Sequence, residues 1–371
     1  MKANRAYKFR IYPSNEQKGK LAQCFGCSRF VFNHFLIIQK ENYENGGKYI
    51  SYNTLAKELP ILKNEYPFLK EVDSISLQQE LRHLDLAFKR FFKVKESGYP
   101  KFKSKKNHFY SYSTVCINDN IITIGKKITI PKIGLVKVKK HREIPNEYIL
   151  KSMTIEETPS GKYFAVLLFE YEKQVIEKRI VSTIGLDYTS DGLYIDSNGN
   201  SSSYPKFFRK AQDKLAFGER KLSRMKKGSH NFEKQRIKVA KVHEKIANQR
   251  LDFLNKQSLM LAREYDMVGI EDLNMKAISR SLNLGKSTMD NGWGMFTNML
   301  KYKLEDRGGQ LVKVGKTFPS SQLCSCCGYR NPETKDLSVR KWTCPICGHV
   351  HNRDHNAAIN IQKEAMRLLS A

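Results

Sequence analysis

The sequence predicts a multidomain α+β protein, because three kinds of apolar pattern follow one another along its 371 residues. Apolar residues recur at helical spacing near the N-terminus, and β-branched and aromatic runs broken by turn residues occupy residues 121–169. From residue 181, strand-like runs alternate with basic helical segments. We therefore expect a helical domain, a β-barrel or sandwich, and a central sheet flanked by helices, with ample material for each core.

The N-terminal part begins with a short strand-like segment and continues into two long helices. Ser14 and Gln17 have the spacing of a capping box, and the pair Cys24 and Cys27 falls on a helix that buries it, as core residues rather than a second metal site. The residues expected on the inner faces are Leu21, Cys24, Phe25, Ser28, Val31, Phe32 and Phe35, and in a second helix over about 76–95 they are Leu77, Leu81, Leu84, Phe88 and Phe91.

The middle region contains runs typical of β-strands at residues 121–124, 128–130, 135–138 and 163–169. It also carries a dense run of positive charge, which favours a phosphate-facing surface over an ordinary solvated face. The residues of this run are Lys126, Lys127, Lys132, Lys137, Lys139, Lys140 and Arg142.

The third region begins with two predicted strands, 181–188 and 192–195, and a turn at 196–200. Long basic helices are expected over 205–265, followed by a buried strand at 267–270. A last helix opens near Asp354, and its expected inner face carries Ala358, Ile361, Ala365 and Leu368.

The charge balance indicates a polyanionic partner. Lys and Arg number 65 against 37 Asp and Glu, a formal net charge of +28 that nucleic acid would neutralise. No apolar run approaches the roughly 18 residues needed to span a bilayer, and the first residues lack a signal-peptide segment. The eight cysteines do not form a disulfide framework, so a reducing cytosol fits best.

Two Cys-x-x-Cys pairs near the C-terminus have the spacing of a zinc site, with each pair on one tight turn. A glycine follows each pair, where positive φ lets backbone N–H groups turn toward the thiolates. The cysteines are Cys324, Cys327, Cys344 and Cys347, and the glycines are Gly328 and Gly348. Cys326 is a spare thiol, and His349 and His351 could substitute as ligands, although surface histidines are the favoured interpretation.

Three carboxylates occupy the edges of the predicted elements in the third region. Asp187 is expected to end one strand, Glu271 to end another, and Asp354 to open the last helix. If they converge, cations must offset their repulsion, and two Mg²⁺ ions roughly 3.5–4 Å apart would support phosphodiester hydrolysis. Considered singly, each acid has an ordinary role that its local sequence favours: Asp354 as a helix N-cap, Asp187 as a turn residue, and Glu271 or Asp272 as a solvated strand end.

Several segments together resemble the TnpB family, nucleases encoded by bacterial and archaeal insertion sequences and related to compact type V CRISPR effectors. The segments are 7–13 (YKFRIYP), 25–33 (FGCSRFVFN), 185–188 (GLDY), 268–274 (VGIEDLN), 320–324 (SSQLC), 337–345 (LSVRKWTCP) and 352–361 (NRDHNAAINI). They extend over the whole chain.

The resemblance implies an RNA-guided DNA endonuclease that cuts double-stranded DNA beside a short flanking motif and leaves 5′ phosphates and 3′ hydroxyls. Its partners would be a transposon-derived guide RNA and target DNA, without a membrane, and the protein would be a monomer or a dimer on RNA in the prokaryotic cytoplasm, near the nucleoid. Asp187, Glu271 and Asp354 would be catalytic ligands of Mg²⁺. The implied zinc ligands are Cys324, Cys327, Cys344 and Cys347.

The resemblance also implies a domain order. It comprises a wedge strand (1–12), a helical recognition domain (13–100), a β-barrel wedge domain (101–180), a RuvC-like nuclease domain of the RNase H type (181–319), a zinc ribbon (320–350) and a C-terminal nuclease helix (351–371). In the helical domain, Gln78 and Gln79 have the amide chemistry to read adenine edges, although an ordinary helix surface is the favoured interpretation of either.

Two other functional classes share some of these features. A guided DNA-binding repressor without cleavage would have the same basic surface and ribbon, and only the intact acids oppose it. A zinc-ribbon transcription or RNA-binding protein would share the charge and the ribbon, but the predicted placement of Asp187 and Glu271 at strand ends opposes it.

Overall fold

The computed structural model describes residues 1–174, 176, 178–281, 285–336 and 338–370. Leu337, which begins one of the motif segments above, lies outside the described residues. The chain divides into two compact units, Met1–Gln174 (unit 1) and Val175–Ala371 (unit 2). Both units combine helices with strands, which confirms the predicted α+β class.

Unit 1 consists of a long first strand, three helices and six further strands. In chain order they are β1 (Lys2–Tyr12), α1 (Asn15–Glu44), α2 (Tyr52–Glu65), a 3-10 turn (Pro67–Lys70), α3 (Ser74–Lys93), β2 (Tyr110–Val115), β3 (Thr123–Ile124), β4 (Lys127–Ile130), β5 (Gly134–Lys139), β6 (Ile149–Glu157) and β7 (Tyr163–Glu172). The capping box of Ser14 and Gln17 is present at the start of α1, as predicted. Sequence periodicity did not predict α2, β2 or β6.

The strands of unit 1 form one antiparallel sheet in the order β2-β6-β7-β1-β5-β4-β3. The first strand lies inside the sheet, where it pairs with β7 from Lys2 to Ile11 and with β5 from Arg10 to Tyr12. Because β2 and β3 are at opposite edges of this order, the described pairings leave the sheet open. The β region is thus one open sheet, compatible with part of the expected barrel and not closed by the pairings of the described residues.

The helices of unit 1 share one hydrophobic core with this sheet. Leu21, Phe35 and Leu81 from the helices and Phe9 and Ile11 from the first strand are at most 1% exposed. Such burial contributes about 1.5–3 kcal/mol per large apolar side chain. Because helices and sheet bury each other's apolar faces, they form a single folded body.

One helix in unit 1 is long and apolar enough to cross a membrane by length and composition alone. It is α1, contrary to the expectation that no such run exists, and half of its most apolar window is buried inside the protein. Cys24 and Phe25 from this window belong to the core of unit 1, and the ring of Phe25 contacts Tyr112 at 5.7 Å between centroids. This burial is typical of a core helix.

Unit 2 alternates strands and helices and ends in a long helix. Its elements are β8 (Thr183–Thr189), β9 (Leu193–Asp196), α4 (Phe207–Ser223), α5 (His230–Glu264), β10 (Met267–Glu271), α6 (Met275–Ser281), α7 (Gly285–Asn291), α8 (Trp293–Glu305), β11 (Gln310–Val314), a 3-10 turn (Pro332–Lys335), β12 (Lys341–Thr343), β13 (Val350–Asn352) and α9 (Arg353–Ser370). The long basic helices and the strand at 267–270 are as predicted.

The main sheet of unit 2 has the order β11-β10-β8-β9, with β9 antiparallel to β8 and the other neighbours parallel. Helices α5 and α8 cover one face, where Ile184 and Ile270 pack with Leu254 and Phe296. Helix α9 covers the other face. The sheet is thus buried on both sides, as is usual for parallel strands.

Two glycines let α9 lie directly on the sheet. Gly185 and Gly269 are register partners in adjacent strands. A Cβ atom at Gly185 would collide with the backbone carbonyl of Ala358, and one at Gly269 would lie 2.7 Å from the Cβ of Ala365. The predicted inner face of α9 is correct for its first three members, which are fully buried, but wrong for Leu368, which is 41% exposed in the last turn.

Candidate functional site

The three carboxylates predicted from sequence line one cleft of about 820 Å³ at the end of the unit 2 sheet. Side chains alternate between the faces of a strand, so Asp187 projects on the same face as Gly185, and Glu271 on the same face as Gly269. That face is the one covered by α9, whose second residue is Asp354. The fold therefore brings together acids that are far apart in the sequence.

Asp187 lies inside its strand, not at its end, which corrects the sequence prediction. Its strand stops pairing with β10 at Leu186 but continues against β9, where Asp187 is opposite Ile195. The hairpin partner extends the strand by two residues beyond Asp187. The acid is still placed where the parallel pairing ends, and Glu271 is the last residue of its own strand, as predicted.

Mutual repulsion and burial shape the electrostatics of the cleft. Burial, together with the nearby charges of Glu271 and Asp354, raises the pKa of Asp187 well above its ordinary value, although Arg353 opposes this. Burial also raises the pKa of Glu271, and a hydrogen bond from Ser320 moderates the rise. The shift of Asp187 thus reflects burial and the neighbouring acids, while that of Glu271 reflects burial.

Two residues of the cleft were missed by sequence reasoning as individual site residues. The hydroxyl of Ser320 donates to the carboxylate of Glu271. The guanidinium of Arg340 lies 3.5 Å from Asp354 and also lines the cleft. Both belong to segments quoted for the family resemblance, so motif membership was the available signal. Their direction toward the acids depends on long-range packing and could not be inferred.

The four predicted cysteines come together in a small ribbon. Their sulfur atoms all lie within 4.8 Å of one another, with Cys324 to Cys347 at 3.6 Å and Cys327 to Cys344 at 3.5 Å. This donor set fits a tetrahedral zinc site.

Both Cys-x-x-Cys turns of the ribbon have the same backbone hydrogen bonds. Gly328 donates to the carbonyl of Cys324 and Gly348 to that of Cys344, each at 2.9 Å. The two glycines have φ of +79° and +70°, as expected from the sequence. The repeated turn gives the ribbon two equivalent halves that face each other across the sulfur atoms.

One histidine of the ribbon differs from the expectation of surface residues. His349 is exposed, but His351 is 4% exposed and packs on Trp342 at 4.8 Å between ring centroids. Its Nε2 atom lies 3.1 Å from the sulfur of Cys324. The correction has a simple cause, since β13 pairs His351 directly with Trp342 and so directs it inward.

The ribbon is attached to the helix that carries Asp354. Asn356 Oδ1 accepts from the backbone N–H of Ser325 at 2.9 Å, while its Nδ2 donates to the carbonyl of Leu323 at 2.7 Å. Asn360 Nδ2 donates to the same carbonyl at 2.7 Å and to that of Ser320 at 2.8 Å. The first Cys-x-x-Cys turn is therefore held against α9.

Unit 1 carries the predicted basic surface. A broad basin of about 1430 Å³ is lined by Lys126, Lys137, Lys139, Lys140 and Arg142. All of the predicted basic residues of this run are exposed. The charge is therefore available to an anionic partner.

The two glutamines are on α3 at the surface of unit 1. Gln78 is exposed, and Gln79 is half-buried in a smaller pocket that also contains Arg82. The role of both residues in base recognition stays a prediction.

Three family models match parts of the chain. They are described as "Helix-turn-helix domain" of IS605 OrfB (residues 1–48), "Probable transposase" of IS605 OrfB (167–282) and "Cas12f1-like, TNB domain" (293–361). The last of these matches includes the whole cysteine ribbon.

Several relatives match the chain over nearly its full length, two of them at more than 30% identity. A Streptomyces pristinaespiralis protein named "Putative RNA-guided DNA endonuclease" is 36% identical over 96% of this chain and 88% of its own. An Escherichia coli protein, "Putative RNA-guided DNA endonuclease InsQ", is 34% identical over 97% and 92%. Among solved structures, the protein in "Cryo-EM structure of the Cas12f1-sgRNA-target DNA complex" is similar in fold, with a TM-score of 0.54, 13% identity and coverage of 97% and 99%.

Proposed function

The chain belongs to the TnpB (IS605 OrfB) family, and on that premise we propose that it is an RNA-guided DNA endonuclease encoded by a transposon. Relatives named for this activity match it almost from end to end. The net charge of +28 supports nucleic-acid partners, and a guide RNA and double-stranded DNA are the partners that this function requires.

The observation that carries the proposal is the convergence of three carboxylates in one cleft. Asp187, Glu271 and Asp354 come from two parallel strands and a helix that are separated in sequence, and all three line the same space. A structural role for each acid separately does not require that they meet. An arrangement that concentrates negative charge in this way is suited to holding metal cations.

The donor chemistry of the cleft fits Mg²⁺, since carboxylate oxygens are the ligands that this hard cation prefers. Two bound Mg²⁺ ions would activate a water and stabilise the leaving 3′ oxygen of a phosphodiester.

The protein's own residues would prepare this cleft for the substrate. Ser320 fixes the orientation of Glu271 through its hydroxyl. Arg340 brings a positive charge from the ribbon beside Asp354, where it can attract a phosphate of the target strand. Burial raises the pKa of Asp187 and of Glu271, so binding of cations to their ionised forms would be favoured at higher pH.

The proposal also assigns a role to each domain of the chain. Residues 181–319 and 351–371 would be the RuvC-like nuclease, of the RNase H type, and 320–350 a zinc ribbon bound through Cys324, Cys327, Cys344 and Cys347. Residues 1–12 and 101–180 would be the wedge domain and 13–100 the recognition domain, in which Gln78 and Gln79 would face DNA. The basin of unit 1 would bind the phosphates of the guide RNA.

The proposal is tested by cleavage of a DNA matched to the copurifying RNA. The RNA that purifies with the protein is sequenced, and a plasmid library places its guide-matched sequence beside randomised flanking bases. The wild type should linearise members with the correct flanking motif in Mg²⁺ and cut none in EDTA. Asp354→Asn should bind the same members without cutting them.

Other outcomes would favour the competing functions. Specific protection of matched DNA by the wild type without any cleavage in Mg²⁺ would instead support a guided repressor. Binding of RNA without any guide-dependent binding of DNA would support an RNA-binding ribbon protein and reject the proposal.

A further inference from the structure

We propose that Cys324, Cys326 and His351 form a second site for a soft cation such as Zn²⁺, adjacent to the four-cysteine site and sharing Cys324 with it. The two sulfur atoms and a ring nitrogen of the histidine all lie within 4.8 Å of one another. Zinc binds sulfur at about 2.3 Å and imidazole nitrogen at about 2.0–2.1 Å, so ligand atoms this close can surround one ion.

His351 is positioned as a ligand would be. Its ring is buried against Trp342, and its Nε2 atom is 3.1 Å from the sulfur of Cys324. Strand pairing places His351 opposite Trp342, so the imidazole has little freedom to turn away from Cys324. A polar ring nitrogen held in a buried position and directed at a thiol is a strong candidate for coordination.

Cys326 supplies the side of the site that faces solvent. The sequence Cys-Ser-Cys-Cys places three thiols on one turn, and Cys326 is the exposed member that the four-cysteine set does not use. A cation can therefore reach Cys326 from solvent. Three protein ligands would leave a fourth position for water, as in open zinc sites.

The position of the second site connects it to the rest of unit 2. Ser325, between the two cysteines, is bound to Asn356 through its backbone N–H, and its carbonyl accepts from Lys363. Both partners are on α9, which also carries Asp354. Binding of a cation at the second site would therefore constrain a turn that contacts this helix. Any resulting change in DNA cleavage rests on the proposed function.

The alternative is that His351 only donates a hydrogen bond to the thiolate of Cys324 and that Cys326 binds nothing. Such a bond would tune one zinc site without creating another. The two arrangements differ in the number of ions that the protein takes up.

The experiment counts bound ions by native mass spectrometry on the full-length chain freed of nucleic acid and titrated with Zn²⁺. The wild type should take up one ion at low zinc and a second at higher zinc. Cys326→Ser and His351→Gln should each weaken the second binding event about tenfold or more and leave the first unchanged. Because the readout counts ions, it is independent of whether the protein cleaves DNA.

Matched controls separate this site from other thiols and imidazoles. Cys116→Ser removes a cysteine of unit 1, and His349→Gln removes the exposed histidine of the ribbon, and both should leave the two binding events intact. The proposal is overturned if the wild type never binds more than one zinc, if both site variants retain the second ion, or if Cys326→Ser abolishes the first. Should His351→Gln fail to fold, the exposed and nearly isosteric Cys326→Ser decides alone.

Discussion

The cysteine ribbon and the carboxylate cleft are both candidate metal centres, but they are assembled in different ways. The ribbon draws its four ligands from residues 324–347, so two local turns suffice to form it. The cleft draws its three acids from positions 187, 271 and 354, which meet only after a sheet and its covering helix have formed. Local chemistry therefore specifies the ribbon, while topology specifies the cleft.

The two centres should therefore respond differently to the loss of one of their residues. Loss of a ribbon ligand should disturb a small substructure whose backbone turns are local. In the cleft, loss of an acid should remove a proposed metal ligand without affecting the packing that assembles the cleft, because the glycines and apolar residues of the sheet perform that role.

The largest effect is expected from the acids of the cleft. Asp187→Ala, Glu271→Ala or Asp354→Ala should each lower the single-turnover rate of guided cleavage by roughly three orders of magnitude or more, because the ligands act as a unit. Double and triple variants should resemble the single ones. Affinity for guide RNA and matched DNA, measured by gel shift, should stay near that of the wild type.

Asp272→Asn is the matched control for the acids. Asp272 directly follows Glu271 but pairs with Lys313 and Lys316 at the surface instead of lining the cleft. It should cleave at nearly the wild-type rate. Equal losses in Asp272→Asn and Glu271→Ala, or loss of all binding in Asp354→Ala, would show that the acids act as structural residues.

A smaller effect is expected from the ribbon cysteines. The double variant Cys344→Ser, Cys347→Ser should lose the zinc of the four-cysteine site and cleave about tenfold to a hundredfold more slowly. The far-ultraviolet circular dichroism should change little, since the two main sheets do not depend on the ribbon. Metal analysis that finds no zinc in the wild type, or full cleavage by the double variant, would contradict this prediction.

The third prediction concerns the packing that assembles the cleft. Gly185→Ala places a methyl group against the backbone of α9 and should destabilise unit 2 by about 1–3 kcal/mol, as overpacking does. The denaturation midpoint measures the effect. Gly294→Ala, in the first turn of α8 with no atom near the added methyl group, should leave the midpoint unchanged or slightly raised.

The smallest effect is a shift of the pH profile. Burial raises the pKa of Asp187 and of Glu271, so in the metal-free protein these groups keep their protons to a higher pH than ordinary acids. Since Mg²⁺ binds the ionised forms, cleavage should rise with pH as they deprotonate. A higher Mg²⁺ concentration should move this rise to lower pH. A rise that is independent of Mg²⁺ would show that another group controls it.

The same ionisations should lower the stability of the metal-free folded protein as the pH rises, although they favour cleavage. A carboxyl group whose pKa is raised by folding binds its proton more tightly in the folded state, so it destabilises the folded state as the pH rises through that range. Without metal, the Asp187→Asn variant should therefore be more stable than the wild type at pH values above the pKa of ordinary carboxyl groups. Thermal melting of both proteins across a range of pH measures the difference.

Much of the ribbon and of the element order could be predicted from sequence, because both depend on local patterns. The spacing of Cys324 and Cys327 and the following glycine is a property of one turn, and the structure contains that turn. Helical spacing likewise placed Leu21 and Leu81 in the core.

What the sequence could not provide depends on contacts between distant segments. The strand extension beyond Asp187 comes from its pairing with β9, and the burial of His351 comes from its pairing with Trp342. Arg340 approaches Asp354 because β12 pairs with β13, which brings the carbonyl of Arg340 to the backbone N–H of Arg353. The catalytic and zinc-binding roles of the named residues stay predictions for the experiments above.

The paired glycines also bear on any attempt to transplant this cleft into another scaffold. The distance between Asp354 and the strand acids is set by contact of a helix backbone with a sheet backbone, without an intervening side chain at Gly185 or Gly269. A designer who copied only the three acids onto a sheet and helix with ordinary residues at these positions would obtain a helix standing too far away. The smallest side chains in unit 2 are thus part of the specification for the cleft, although they contribute no chemistry.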